Sequence, residues 1–432
     1  MATYSELSAN NWFKKGCRDR KACRDRDRAG ASLAGWLVGL LLVGGCATLP
    51  RSAPPAESTG QFQIVGMPAD IRSTGLGPSE ALQNDFSRAL VTGGTDAQCD
   101  SKDGEPILCV LVLSGGGGLG AYGAGVLNGW TKSGKRPEFK IVTGVSTGGL
   151  LAPFAFLGSK WDDRLADAFL SIESDADILK RRGLFGILRN DAAADTTPLA
   201  EHIAKYIDAE VIEAIAVEYR KGRRLYIGTT NMDTQTFTVW NLGRIADVGG
   251  PEALALFRKL MLASASVPIA MPPVMFPVTS GEQEYDEMHA DGGIQAQFFV
   301  PLVAIDLPKA IKRANELGFN HKPTPRMFII RNSKFTPVRE SVDRNLVKVA
   351  TRAIESMVQS MGRSDLNQIY AISKARGTDF HYTEVPEDFF WQASSKFDGG
   401  EMQRLYDVGY ERAQGEELWS SEPPGLFAKN IE

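Results

Sequence analysis

Three short stretches combine residue types that could do chemistry. In GVSTG, residues 144–148, a serine stands between two glycines directly after the apolar run FKIV. A GxSxG pattern fits a nucleophile elbow, a strained strand-to-helix turn that projects Oγ from the sheet edge. The helix that follows would offer free N–H groups and a positive dipole end to a developing oxyanion. In a chain with 44 glycines the pattern alone also fits a plain glycine-rich turn. The second stretch, SGGGGLGAYGAG, residues 114–125, follows the apolar run ILCVLVL. Unshielded peptide N–H groups at Gly116 and Gly117 suit an oxyanion hole beside the serine. The third, HADGG, residues 289–293, sets Asp291 before Gly292 and Gly293. It reads either as an Asx turn or as a placed carboxylate.

Two other chemistries have partial signatures in the sequence. Gly115, Gly117 and Gly120 satisfy GxGxxG, but a dinucleotide loop needs an acidic residue ending the second strand. That strand instead runs through Thr143 and Gly144 into Ser146, and Glu138 precedes it. No cofactor is expected, and no metal, because no His or Cys pair has ligand spacing. A nucleophilic serine needs a base, and the chain has four histidines, His202, His289, His321 and His381, none of which stands out. Either Asp291 acts directly, or it orients His321 or His381 in the chain order Ser, Asp, His. A free Asp titrates near 4, so the direct route requires burial to raise its pKa. If residues 287–291 are extended, His289 and Asp291 share a face and His289 would tune the aspartate.

The elements that must position these groups alternate between strand and helix. After ILCVLVL comes a helical pattern through Leu119, Tyr122, Val126, Leu127 and Trp130, then FKIV and a second small-residue helix. Further on, Pro198 opens a helix, RLYIGTT and TFTVW flank NMDTQ as a hairpin, and MFIIR reads as the last core strand. This order predicts an α/β fold with a largely parallel sheet, in one domain rather than two. Residues 345–361 read as helix in a C-terminal elaboration.

Composition narrows the class. With 432 residues, 43% hydrophobic, the chain can bury a large core. A formal charge of −4 gives no basic excess, so nucleic acid is excluded as the main partner. Eight Lys/Arg precede the uncharged run of 17 residues AGASLAGWLVGLLLVGG, which ends at Cys46. This resembles a signal peptide with a lipobox, in which Cys46 is lipidated and becomes the mature N-terminus. An uncleaved signal anchor is the alternative. The leader carries eight Lys/Arg and four Asp/Glu, so the chain from Cys46 onward has a formal −8. Residues 47–62, rich in Pro, Ser and Ala, read as a tether. Cys99 and Cys109 could pair once exported, but Cys109 sits in an apolar run and is expected to be a buried free thiol.

GGGGLG, then GVSTG, then DGG resembles the patatin-like phospholipase family, whose glycine-rich oxyanion loop, GxSxG and DG[GA] signatures occur in this order. YIGTTNMDTQTF, KLMLASASVPIAMPPV and FIIRNSKF agree as well, so the resemblance runs over about residues 107–415. It implies a three-layer α/β/α sandwich and a Ser-Asp dyad without histidine. By resemblance Ser146 is the nucleophile and Asp291 the base. Gly115, Gly116 and Gly117 form the oxyanion loop, and Gly120, Gly144, Gly148, Gly292 and Gly293 are motif glycines. The family usually carries Arg or Lys before the last glycine of that loop, where this chain has Leu119. The change favours simple carboxylic esters over anionic headgroups.

The expected organisation is a signal peptide (1–45), a lipid-anchored linker and N-terminal extension (46–105), a catalytic core (106–335) and a C-terminal helical elaboration (336–432). The expected activity is hydrolysis of lipid carboxylic esters, phospholipid acyl chains first, by a lipoprotein of the cell envelope. Ala47 after the cysteine favours the outer membrane over the inner. A Ser-His-Asp esterase and a non-catalytic lipid-binding lipoprotein are the alternatives.

Overall fold

The computed structural model describes residues 49–57, 62–74, 77, 79–93, 99–183, 190–300 and 305–425. The expected leader and Cys46 lie outside them, and from Arg51 onward the chain forms one compact unit. Its strands, in chain order, are β1 (Gln63–Ile64), β2 (Arg72–Thr74), β3 (Asp100–Lys102), β4 (Glu105–Leu113), β5 (Ile141–Val145), β6 (Lys180–Arg181) and β7 (Ala194–Asp195). They continue with β8 (Arg224–Asn231), β9 (Thr236–Asn241), β10 (Val274–Ser280), β11 (Gln283–Asp291), β12 (Thr324–Arg331) and β13 (Asp379–Glu384). The helices are α1 (Glu80–Gly93), α2 (Gly120–Lys132), α3 (Thr147–Leu157), α4 (Asp162–Leu170), α5 (Thr197–Tyr206) and α6 (Ala209–Arg220). They are followed by α7 (Leu242–Val248), α8 (Gly250–Ser264), α9 (Leu307–Glu316), α10 (Leu346–Arg376) and α11 (Gly399–Gln414).

The centre of the main sheet is parallel, in the order β8, β5, β4, β12, β13. β11 pairs antiparallel with the last residues of β8 on the side that β5 leaves, β10 and β1 follow it antiparallel, and β9 pairs along the other side of β8 as the expected hairpin. A parallel strand with helices on both faces must be apolar on both faces, which is why ILCVLVL does not alternate. Cys109, Leu111 and Leu113 join one core with Val142, Phe328 and Ile330, covered by α2, α3, α4 and α11. Leu108, Val110 and Val112 join the other with Met327, Ile329 and Tyr226, covered by α1, α9 and α10. The result is the three-layer α/β/α sandwich.

Several boundaries differ from expectation. MFIIR, in β12, is not the last strand: β13 pairs parallel to it, and α11 packs on α2. That packing is backbone-close, since a side chain at Gly125 or Gly129 would run into the carbonyls of Tyr406 and Tyr410. The N-terminal extension is likewise woven in, with β1, β2 and β3 in the main sheet and α1 against α9. Part of the expected tether is docked too, because Arg51 pairs with Asp233 and Ser52 accepts from the Asp286 N–H. Short edge strands with mixed burial give a weak periodic signal, and DFHYTE is one of them.

Cys99 and Cys109 form a disulfide, correcting the expected free thiol. The turn at Asp103 and Gly104, both at positive φ, folds β3 antiparallel onto β4 and brings the two Cα atoms to 5.6 Å. Cys109 is buried as expected, but beside its partner. No helix among the described residues is long and apolar enough to cross a membrane.

Candidate active site

Ser146 sits between β5 and α3 with φ 55 and ψ −128, a left-handed conformation that a side chain rarely adopts. Only glycine fits on either side. A side chain at Gly144 would meet the carbonyl of Gly148, and one at Gly148 would meet the carbonyl of Leu113. The Ser146 N–H donates to Ser264 Oγ at 3.0 Å, and that hydroxyl donates to the Gly228 carbonyl at 2.8 Å. Ser264, at the end of α8, thereby ties the elbow to β8. The serine is 8% exposed.

Asp291 ends β11, which runs antiparallel to β8 with Asp291 opposite Thr229. β5 pairs with the same side of β8 one position earlier, with Val145 opposite Gly228, so Asp291 arrives at the carboxyl edge directly beyond the end of β5 and next to the elbow. Its Oδ1 accepts the Gly293 N–H at 2.6 Å. Its Oδ2 is buried with no hydrogen-bond partner among the described residues. The Ser146 hydroxyl lies close enough to favour the carboxylate, but it falls short of strict hydrogen-bond geometry. Burial pushes the Asp291 pKa up to about 7, against the lowering effects of Ser146 and the Gly293 N–H. The carboxyl group is therefore poised near neutrality, as a general base requires. Gly292 lets the chain pass against the Gly228 carbonyl.

The glycine loop follows β4. Gly115 packs directly on Ser146, where an added Cβ would lie 3.0 Å from the serine Cβ and 3.6 Å from Oγ. The peptide N–H groups of Gly115, Gly116 and Gly117 donate to no other protein group among the described residues. Thr147 Oγ1 donates to the Gly117 carbonyl at 3.0 Å, joining the loop to α3, and Gly120 packs on the Thr147 side chain. Asn332, just past β12, holds the loop from behind: Nδ2 donates to the Ser114 carbonyl at 2.8 Å and Oδ1 accepts the Gly123 N–H at 3.1 Å. Leu119 is packed against the core and adds no charge.

The structure thus gathers Ser146, Asp291 and the predicted glycines at one edge of the sheet, and it leaves the histidines elsewhere. His202 meets the Ala168 carbonyl, His321 pairs with Glu105, and His381 pairs with Asp379 while stacking on Phe328. His289 is fully buried, but it faces Thr229 and Glu287 rather than Asp291, so the expected tuning is not seen. Burial lowers its pKa, against the pull of Glu287.

Besides Ser264 and Asn332, sequence reasoning missed Gln297. Its Nε2 donates to the Gly293 carbonyl at 3.1 Å, and its Oε1 lies at the face of Gly115. Its backbone N–H donates to Asp365 of α10 at 2.8 Å. Ser264 and Asn332 lie in stretches marked as family-like, which was the available signal. Gln297 lies in none.

Residues 111–304 match the family model of patatin-like phospholipases. The chain carries a patatin-like phospholipase domain. The matched span contains Ser146, Asp291 and the glycine loop, and the match supports lipid acyl hydrolase chemistry in general. It stops before β12, so FIIRNSKF and the C-terminal elements lie beyond the match. Among solved structures the chain matches VipD from Legionella pneumophila at 13% identity and a TM-score of 0.35, over 71% of this chain. The chain spans 66% of the length of that one. No curated protein matches it.

Proposed function

We propose that the patatin-like domain hydrolyses carboxylic esters of lipids through a dyad of Ser146 and Asp291, with phospholipid acyl chains as substrate. The observation that carries this reading is a serine held at positive φ beside a buried carboxylate with one unpartnered oxygen. Asp291 takes the proton of Ser146 Oγ as Oγ bonds to the ester carbonyl carbon. The oxyanion that forms accepts hydrogen bonds from the N–H groups of Gly115, Gly116 and Gly117. Collapse breaks the bond to the alcohol, which leaves with the proton held by Asp291. Water then gives a proton to Asp291, attacks the acyl-serine, and the fatty acid departs as Ser146 regains its proton. The engagement of all four histidines with other groups supports a dyad over a triad. Leu119 beside the loop supports ester chemistry that needs no cation at the oxyanion.

A fluorophosphonate probe tests this, because its adduct mimics the tetrahedral intermediate. The wild type should be labelled on Ser146 alone, and Ser146→Ala not at all. Folded wild-type protein that stays unlabelled would mean a lipid-binding protein without this catalysis.

We further propose that the protein is a lipoprotein of the cell envelope, anchored through Cys46 in the outer membrane. The charged and apolar leader supports export, and the Cys99–Cys109 disulfide independently supports an oxidising compartment. Cys46→Ser should block acylation and leave the precursor unprocessed. Normal cleavage and membrane retention in that variant would mean that attachment does not depend on Cys46 and rests on another membrane-binding surface.

A further inference from the structure

α10 is 31 residues long, and its two halves differ. Among its described side chains none between Leu346 and Met361 is buried, whereas Gly362, Leu366, Ile369 and Ser373 are. The uncovered half is not polar. Leu346 is 85% exposed, Val349 51% and Met357 60%. With Ala353 they fall at i, i+3, i+7 and i+11, one stripe about 16 Å long at 1.5 Å per residue. Val338 at 60% and Phe390 at 67% add to the exposed apolar surface on neighbouring segments.

The surface adjoins the active site. The buried half of α10 presses Gly362 against the Gln297 side chain and holds the Gln297 N–H through Asp365. Lys396 pairs with Glu355 of α10, and it belongs to the segment whose Trp391 and Lys396 pack on Gly118 of the glycine loop.

Its charge runs against that of the whole. Residues 336–363 hold five Lys/Arg against three Asp/Glu in a chain of net −4. Arg339, Arg344 and Arg363 make no ion pair among the described residues. Exposed apolar groups flanked by unpaired guanidiniums suit the headgroup boundary of an anionic bilayer.

We infer that the exposed stripe of α10, with Val338 and Phe390, docks the enzyme on a lipid bilayer carrying anionic headgroups and turns the active site toward its substrate. The inference rests on the lipid hydrolase reading above. It concerns a surface separate from the N-terminal attachment.

The test uses full-length protein and vesicles of phosphatidylcholine, with or without phosphatidylglycerol. In Ser146→Ala protein, phosphatidylglycerol vesicles should slow hydrogen exchange across residues 338–357 and around Phe390. Absence of protection, or equal protection by phosphatidylcholine alone, overturns the proposal. In the catalytically intact chain, Leu346→Asp, Val349→Asp and Met357→Asp combined should cut vesicle phospholipid hydrolysis about tenfold or more and leave turnover of a soluble short-chain ester within about twofold. An equal loss on both substrates would show a structural role, and no loss on either would show that the stripe is idle. Both outcomes overturn the inference. If the wild type turns over neither substrate, the catalytic reading fails, while the exchange experiment still decides the docking surface.

Discussion

At the carboxyl edge of the sheet burial pushes Asp291 up to about 7, and at the amino edge burial pushes Lys140 down to about 7, helped by Arg224 and Arg223. Each group therefore titrates near neutrality, yet their surroundings differ. Lys140 Nζ donates to the Ala89 carbonyl at 3.1 Å, beside a network in which Asp85 takes hydrogen bonds from Arg224, Tyr219 and Asn241. Asp291 keeps a buried oxygen unpartnered, faces a serine at positive φ, and lies beside a loop with free N–H groups. A displaced pKa thus measures burial. Strain and unused hydrogen-bonding capacity are what distinguish the edge that can do chemistry.

The largest effects should fall on that edge alone. Ser146→Ala and Asp291→Asn should each lower kcat on the order of a thousandfold or more with folding intact, whereas single substitutions of His202, His289, His321 and His381 should be mild. One histidine variant as inactive as Ser146→Ala would restore a triad.

A smaller effect should follow from loosening the loop without touching the reacting atoms. Asn332→Ala removes the bonds to the Ser114 carbonyl and the Gly123 N–H. It should lower kcat roughly ten- to a hundredfold with KM little changed, because the oxyanion donors lose their fixed positions. A change confined to KM would place Asn332 in substrate binding instead.

The pH dependence sharpens the comparison further. On the proposed dyad reading Asp291 serves as base only when ionised, so kcat/KM should rise with pH and level off above about 7. Below that it should fall about tenfold per unit. Lys140→Met should leave this profile in place. A profile displaced by Lys140→Met would mean that the two edges are electrostatically coupled.

The α/β class with a parallel sheet was legible because strands such as ILCVLVL alternate with helical patterns, and the three-layer sandwich followed from the family resemblance. The turn at Ser146 was legible because an elbow tolerates few residue types, whereas Asp291 and the loop glycines were singled out by the order of motifs that resembles the patatin-like family. The disulfide, β13 and Gln297 were not legible. Cys99 meets Cys109 only because of the turn at Asp103 and Gly104. β13 is a half-buried edge strand, and Gln297 acquires its place from the packing of α10, which no local pattern encodes.

The last and smallest effect is on stability, and it has opposite signs at the two edges. Asp291 has a folded pKa of about 7, above the roughly 3.9 of an unfolded Asp, so its contribution is fully present below about 4 and is lost as pH rises through about 7. Asp291→Asn should therefore stabilise the fold most above pH 7, in the range where the wild type is most active. Lys140 has a folded pKa of about 7, below the roughly 10.4 of an unfolded Lys, so its contribution is present above about 10 and is lost as pH falls through about 7. Lys140→Met should stabilise the fold most below pH 7, with no cost in turnover. Thermal unfolding of both variants at pH 5.5 and 8.5, about 1.5 units either side of the shared titration point, checks the pair. Stabilisation of Asp291→Asn at the higher pH and of Lys140→Met at the lower would show that both groups are held against their solvation preference, only one of them to catalytic use. The same pH trend in both would mean that burial is not what sets at least one of the two titrations.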